Sequence, residues 1–246
     1  MKKIFLGSLL FLTTTFAQDI DMDSDMLDDF DDIQIEVKQK SDPLKTYNVA
    51  ITQFNDEVYH TIWQPLSLTY KNNINQNIRQ GVDNIFANLR YPINFINNIL
   101  QLKLKNALIE TGRFLINSTI GMFGIFDVAK NSFGLEPKKE DFGQTLGYWG
   151  VGPGPHIVLP FFGPSNLRDM ISFYPDGLVD PTIYNPDREY NIVNNGYSSV
   201  TLMMYNRLNK TSLNIELYDN LTSGALSKYE VLKNSYEQQR EMEIKK

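Results

Sequence analysis

From Pro43 onward, apolar residues recur every three or four positions, the spacing that lines one face of an α-helix. Tyr47, Ala50, Ile51, Phe54, Val58 and Ile62 form the first such stripe. Pro65 then suits the first turn of a second helix, where its missing N–H costs nothing. Val82, Ile85, Phe86 and Leu89 mark one side of a short helix over residues 78–89. The longest periodic run, residues 93–110, holds Phe95, Ile96, Ile99, Leu100, Leu102, Leu104, Ala107 and Leu108. That stripe is unusually wide for a helix with a single buried face. Its polar spacers, Asn94, Asn97, Asn98 and Asn106, carry no charge, so the segment fits a core or a membrane interface.

The centre of the chain changes character. Ten of the fifteen glycines fall between Gly112 and Gly163, among Phe, Trp and Tyr, and four prolines follow Gly152. Glu140 or Asp141 can open a short helix ending at Gly147, because acids favour a helix N-terminus. Residues 155–163, PHIVLPFFG, read as an irregular apolar loop, since Pro160 argues against both a central strand and a continuous helix. Such a loop must pack on protein or meet lipid. Ser165 is an expected N-cap for a helix through Met170. Residues 176–195, rich in Pro, Asn and Asp, connect to two last helical patterns at 198–208 and 213–243. The expected class is all-α, with long irregular Gly/Pro-rich loops and no internal repeat.

Composition adds the ends and the compartment. Lys2 and Lys3, the nine-residue apolar run 4–12 and the exit Thr15-Phe16-Ala17 match a cleavable secretory signal over residues 1–17. The apolar run is too short to span a bilayer, which takes roughly 20 residues. Residues 18–41 form an acidic leader, with nine acids and no base between Asp19 and Glu36, read as solvated chain. Without those acids and the two signal lysines, the net charge of −6 becomes one positive charge, so residues 42–246 form a nearly neutral helical domain. With no basic stripe, nucleic acid is excluded as a partner class. The absence of cysteine excludes disulfides and thiolate metal sites within this sequence.

A search for chemistry finds no nucleophile elbow, phosphate loop, zinc motif or dinucleotide fingerprint. His60 and His156, the two histidines, read as structural. Glu140 and Asp141 are adjacent, so on a helix they point about 100° apart, a poor geometry for a shared acid–base pair. Asp127 and Asp169 read as structural partners of Arg113 and Arg168 or as helix caps. No catalytic residue, metal or cofactor is expected. What the sequence offers is apolar surface with uncharged polar spacing in an exported chain. A phospholipid with ~30 chain methylenes costs on the order of 25 kcal/mol to strip into water. A protein handling one must offer apolar walls to its tails and polar groups to its head.

Ordered blocks along the chain carry a family resemblance. Asp42-Pro43-Leu44, Tyr47-Asn48, Phe54-Asn55-Asp56, Pro65 and RQGVDNIFANLRYPINFINNILQ (79–101) come first. RFLINSTIGMFGIFDVA, EDFGQTLGYWGVGPGP, VLPFFGPSNLRD and, more loosely, LKNSYEQQRE follow. Over about 200 residues the chain resembles the MlaA (VacJ) group of outer-membrane phospholipid-transport proteins. The resemblance implies a ring-like helical body in one leaflet of the outer membrane, with an amphipathic channel. Misplaced outer-leaflet phospholipid would pass to a periplasmic carrier, beside a trimeric porin and without catalysis. Carried onto this chain, the channel wall and hinge fall at Asp141, Phe142, Gly143, Gly147, Trp149, Gly150, Gly152 and Gly154. Membrane-interface positions would be Asn84, Ile85, Phe86, Phe95, Ile96, Ile99, Leu100, Phe161 and Phe162. The group is typically anchored through an acylated cysteine; with none in this sequence, retention is expected to rest on the apolar belt, a porin partner or both. The rival expectations are a porin-associated adaptor that moves no lipid, and a secreted lipid hydrolase.

Overall fold

The computed structural model describes residues 42–189 and 191–246; the expected signal and nearly all of the acidic leader lie outside them. Helix α1 (Lys45–Val58) runs through a π-helical turn (Tyr59–Trp63) into α2 (Gln64–Asn73), whose first turn holds Pro65. Asn75 caps α3 (Gln76–Leu89), accepting from the Asn77 N–H at 2.8 Å. Next come α4 (Tyr91–Leu100) and α5 (Leu104–Thr119), packed against each other. The expected single helix over 93–110 is thus two. Gln101–Lys103 forms a tight turn in which Leu102 takes a left-handed backbone (φ 60°). The apolar period continues across the break, which is why periodicity alone does not reveal it.

Asp127 caps the short α6 (Val128–Phe133), and Asp141 caps α7 (Phe142–Tyr148), the helix expected there. The apolar loop is instead an antiparallel hairpin, β1 (His156–Leu159) and β2 (Gly163–Asn166), with His156 paired to Asn166. Pro160 sits in its turn, where a missing donor breaks no ladder bond. Ser165 lies within β2, and the N-cap of α8 (Leu167–Val179) is Asn166, whose side chain accepts from the Asp169 N–H at 2.8 Å. The chain ends with α9 (Gly196–Leu213), α10 (Leu217–Thr222) and α11 (Lys228–Lys245). The last two divide the pattern expected over 213–243. Helix α11 packs on α7, α10 and β2 and returns to α1. There Lys45–Glu230 (2.7 Å), Lys228–Asp56 (2.7 Å) and Lys233–Asp42 (3.0 Å) close the body on itself.

The interior is polar. Among the described residues, ten hydrophobic side chains are buried against twenty-nine polar or charged ones, while thirty-three large hydrophobics are exposed. That inverts the usual partition, in which a buried polar side chain is the exception. In α4 the inward face is Asn94, Asn97 and Asn98, and Ile96, Ile99 and Leu100 face outward. In α1 the inward stripe is Asn48, Thr52 and Asn55, while Tyr47 and Phe54 of the apolar stripe are exposed. Each inward asparagine finds partners, as buried amides must. Asn97 donates to Asp176 at 2.9 Å and accepts from Thr145 at 2.8 Å, and Asn94 donates to Glu110 at 3.0 Å. The uncharged spacers are the lining, and the apolar stripes are the outside.

Candidate functional site

The inward stripe of α1 also builds the mouth of a cavity. Asn48 receives the Val158 N–H at 2.8 Å and donates to the His156 carbonyl at 3.0 Å. One turn and a half further, Asn55 donates to the Leu159 carbonyl at 2.9 Å and accepts the Phe161 N–H at 2.6 Å. Two asparagines seven residues apart on one helix face thus clamp the hairpin. The clamp presents Phe161, packed edge-on to Phe54 with ring centroids 5.2 Å apart, and Phe162. Together with Tyr59, Trp63, Leu217, Tyr218 and Leu221 these rings and side chains enclose about 220 Å³, and the far wall carries Arg207, Lys210, Tyr236 and Gln239. Arg207 lies over the Trp63 ring at 5.6 Å, a cation–π contact at the rim.

Two further volumes continue inward. One of about 90 Å³ shares Pro164, Lys210, Tyr236 and Gln239 with the first and adds Arg90, Lys139, Glu140, Asp141, Gln144, Arg240 and Glu243. The other, about 70 Å³, shares Arg90, Lys139 and Lys210. Lys210 belongs to all three. The arrangement is a passage with an aromatic mouth and a charged interior.

A network centred on Arg240 forms the inner wall. Its guanidinium donates to Asp141 (2.7 and 2.9 Å), Asp169 (3.0 Å) and Glu243 (2.8 Å). Asp169 also accepts from Arg168 at 2.9 Å and from the Tyr236 hydroxyl at 2.5 Å. Burial alone would raise the Asp169 carboxyl, but the charge of Arg240 and the hydrogen bonds of Arg240, Arg168 and Tyr236 hold it at about 2. Asp176 is the opposite case. Burial, then the charge of Asp141, pushes it up to about 7, although the Phe142 N–H and Asn97 donate to it. Asp127 pairs with Arg113 at 2.9 Å, so both isolated aspartates are the structural partners and caps expected of them.

The structure separates the other expected positions. Asp141 and Gly143 are buried in the Arg240 network, and Phe142 is partly buried. Gly147 lets α7 approach Ile244 and Arg168 closely. Trp149 is 60% exposed and donates to the Leu100 carbonyl at 3.0 Å, with Gly150, Gly152 and Gly154 exposed beyond it. Ile96, Ile99 and Leu100 face outward, Phe95 is half-buried, and Asn84 donates to the Ile125 carbonyl at 2.9 Å beside a half-buried Ile85. Phe86 is a correction: it is 8% exposed, packed near Tyr205, and so cannot face a membrane. Phe161 and Phe162 line the mouth. Sequence reading missed Arg90, Lys139, Lys210, Tyr236, Gln239 and Arg240. The available signal was polar residues at helical spacing: Arg207, Lys210 and Asn214 on α9, and Leu232, Ser235, Tyr236 and Gln239 on α11.

Burial pushes the His156 imidazole down to about 4, so it stays neutral between Tyr229 and Tyr236, and His60 is exposed beside Asp56. Among the described residues no cluster of His, Asp or Glu is placed to hold a metal ion. No described helix is long and apolar enough to cross a membrane.

Comparison with known proteins places this arrangement. An uncharacterized protein of Rickettsia typhi is 36% identical over 152 residues, covering 61% of this chain and 60% of its own length. The chain thus spans about 60% of the length of such relatives. The intermembrane phospholipid transport system lipoprotein MlaA of Escherichia coli is 35% identical over 133 residues, covering 53% of each chain. A solved structure reported as "Structural basis for maintenance of bacterial outer membrane lipid asymmetry" superposes with a TM-score of 0.70 at 26% identity. It covers 83% of this chain and 100% of its own. The family model described as MlaA lipoprotein matches residues 40–243. The chain belongs to the MlaA lipoprotein family.

Proposed function

We propose that this chain is a phospholipid passage at the outer membrane, drawing misplaced phospholipid from the outer leaflet and passing it to a periplasmic carrier. It would thereby maintain lipid asymmetry. The carrying observation is the row of adjoining cavities, aromatic at the mouth and charged within, inside a body whose apolar side chains face outward. Tails favour the rings and the outer belt; a phosphate favours Arg90, Lys139 and Lys210. Family membership supports the same reading.

In this reading Asp141 and Gln144 are wall, residues 149–154 are the hinge, and the exposed stripes lie in one leaflet beside a trimeric porin. No bond in the lipid is cleaved. The test is mass spectrometry of the protein purified in mild detergent, with Lys210→Glu as the variant. Phospholipid bound to the native chain and reduced several-fold in the variant is expected. Deletion in the native host should raise lipid A palmitoylation. A lipid-free protein that still holds a porin, with an unchanged leaflet on deletion, makes it an adaptor. Release of lysophospholipid from labelled lipid makes it a hydrolase.

A further inference from the structure

The loop after α5, IGMFGIF (120–126), is unusual in three independent ways. First, Ile120, Met122, Phe123 and Phe126 are 62, 58, 84 and 56% exposed. Second, Met122 and Phe123 adopt left-handed backbone (φ 55° and 59°), a region that side-chain-bearing residues avoid. Such a conformation persists only where the surroundings over-determine it. They do so here, because a Cβ on Gly124 would fall 2.7 Å from Asn88 Cβ, and one on Gly121 would fall 2.3 Å from the Phe126 carbonyl oxygen. Third, the loop's backbone is satisfied from within the protein. The N–H groups of Ile120, Gly121, Phe123, Gly124, Ile125 and Phe126 all donate to carbonyls of residues 116–122. The Ile125 carbonyl accepts from Asn84 at 2.9 Å.

Water needs none of this, since it hydrates loop backbone and penalises exposed Phe. A docking protein requires complementary shape but tolerates backbone groups that it can itself hydrogen-bond. Hydrocarbon alone requires non-helical backbone to be satisfied internally and the side chains around it to be apolar. The neighbouring surface agrees. Leu108 and Leu115 of α5 are 72 and 56% exposed, and the charged residues between Leu108 and Phe126, Glu110 and Arg113, are both buried. Asp127, at the loop's end, turns to Arg113 and Asn117.

We infer that residues 120–126 are a rigid wedge inserted among phospholipid acyl chains, with Phe123 at its tip. The wedge goes beyond the transport reading by assigning the surface that fixes the protein's depth and tilt relative to the passage mouth. Lipid taken from the leaflet then meets that mouth at a defined height.

The chain has no cysteine, so Phe123→Cys carries a single environment-sensitive NBD label. Leu226→Cys, at a fully exposed turn on another part of the body, is the control. The full chain is bound to vesicles of phosphatidylethanolamine and phosphatidylglycerol, some bearing a doxyl group on the acyl chain. The expected result is a blue-shifted emission at position 123 that the chain doxyl quenches, with none at 226. Phe123→Asp should lower the vesicle-bound fraction at least about tenfold, since a carboxylate is costly at hydrocarbon depth. Met122→Asp should do likewise, and circular dichroism should match the native chain. Emission that stays aqueous on bound vesicles overturns the wedge, as does equal quenching at both sites or shielding that appears only with a porin present. Phospholipid in the passage is measured separately on the unlabelled protein, so either idea can fail alone.

Discussion

The glycine-rich segment expected to act as one wall and hinge is two regions with opposite surroundings. In residues 141–148 the glycines exist for lack of room. A Cβ on Gly143 would lie 2.5 Å from Asp169 Oδ1 and 2.7 Å from Arg240 Nη2, and one on Gly147 would lie 2.5 Å from Ile244 Cδ1. In residues 149–154 there is room to spare, with no neighbour within 4 Å of a Cβ on Gly150 or Gly152. The first region is locked by the tightest ion-pair network described in the molecule. The second is tied back at Trp149 and free beyond it until Pro153, whose carbonyl accepts from the Arg168 N–H at 3.1 Å. A glycine cluster is therefore no measure of flexibility: half of this one is the rigid part.

The contrast can be broken most directly at its centre. Arg240→Met leaves Asp141 and Asp169 buried without their cation, and should cost about 3–5 kcal/mol; thermal unfolding in detergent reads it. Gly143→Val strikes the same network and should unfold the protein at comparable cost or prevent its accumulation. Asp176→Asn tests the network's titration. The unfolded carboxyl titrates near 3.8 and the folded one at about 7, so the stability that comes from its protonated form is full below pH 4 and lost as pH rises through 7. The native melting temperature should therefore fall between pH 5 and pH 8, and the Asn variant should lose that component of the slope. In the open half, Gly154→Ala meets a left-handed backbone (φ 70°) and Leu167 Cβ at 3.0 Å, for about 1–2 kcal/mol. Gly152→Ala should change stability by less than about 0.5 kcal/mol. A large effect at Gly152 would erase the distinction.

Much of this was legible in the chain because helices announce themselves by period, whichever way they face. The stripes of α1, α3, α4 and α5 are where periodicity puts them. The direction they face is not, since Asn94, Asn97 and Asn98 fit a solvated face equally well until α7 and α8 cover them. Asp127 and Asp169 were readable because a lone acid beside a nearby arginine has few other fates. The passage was not readable: its walls come from Tyr59, Phe161, Lys210 and Tyr236, which only the closing of α11 onto α1 brings together. The hairpin was hidden by Pro160, correctly judged unfit for a strand but sitting in the turn between two.

The inverted interior also sets how the protein should respond to temperature. Exposure of apolar surface raises the heat capacity on unfolding by about 0.45 cal/mol/K per Å², and exposure of polar surface lowers it by about 0.26. This chain unfolds from a state whose buried side chains are mostly amides, carboxylates and guanidinium groups and whose large apolar ones are already outside. Its heat-capacity increment per residue in detergent should fall well below the ordinary 12–15 cal/mol/K. Its stability curve should then be flat and nearly linear, without the low-temperature decline that an oily core imposes.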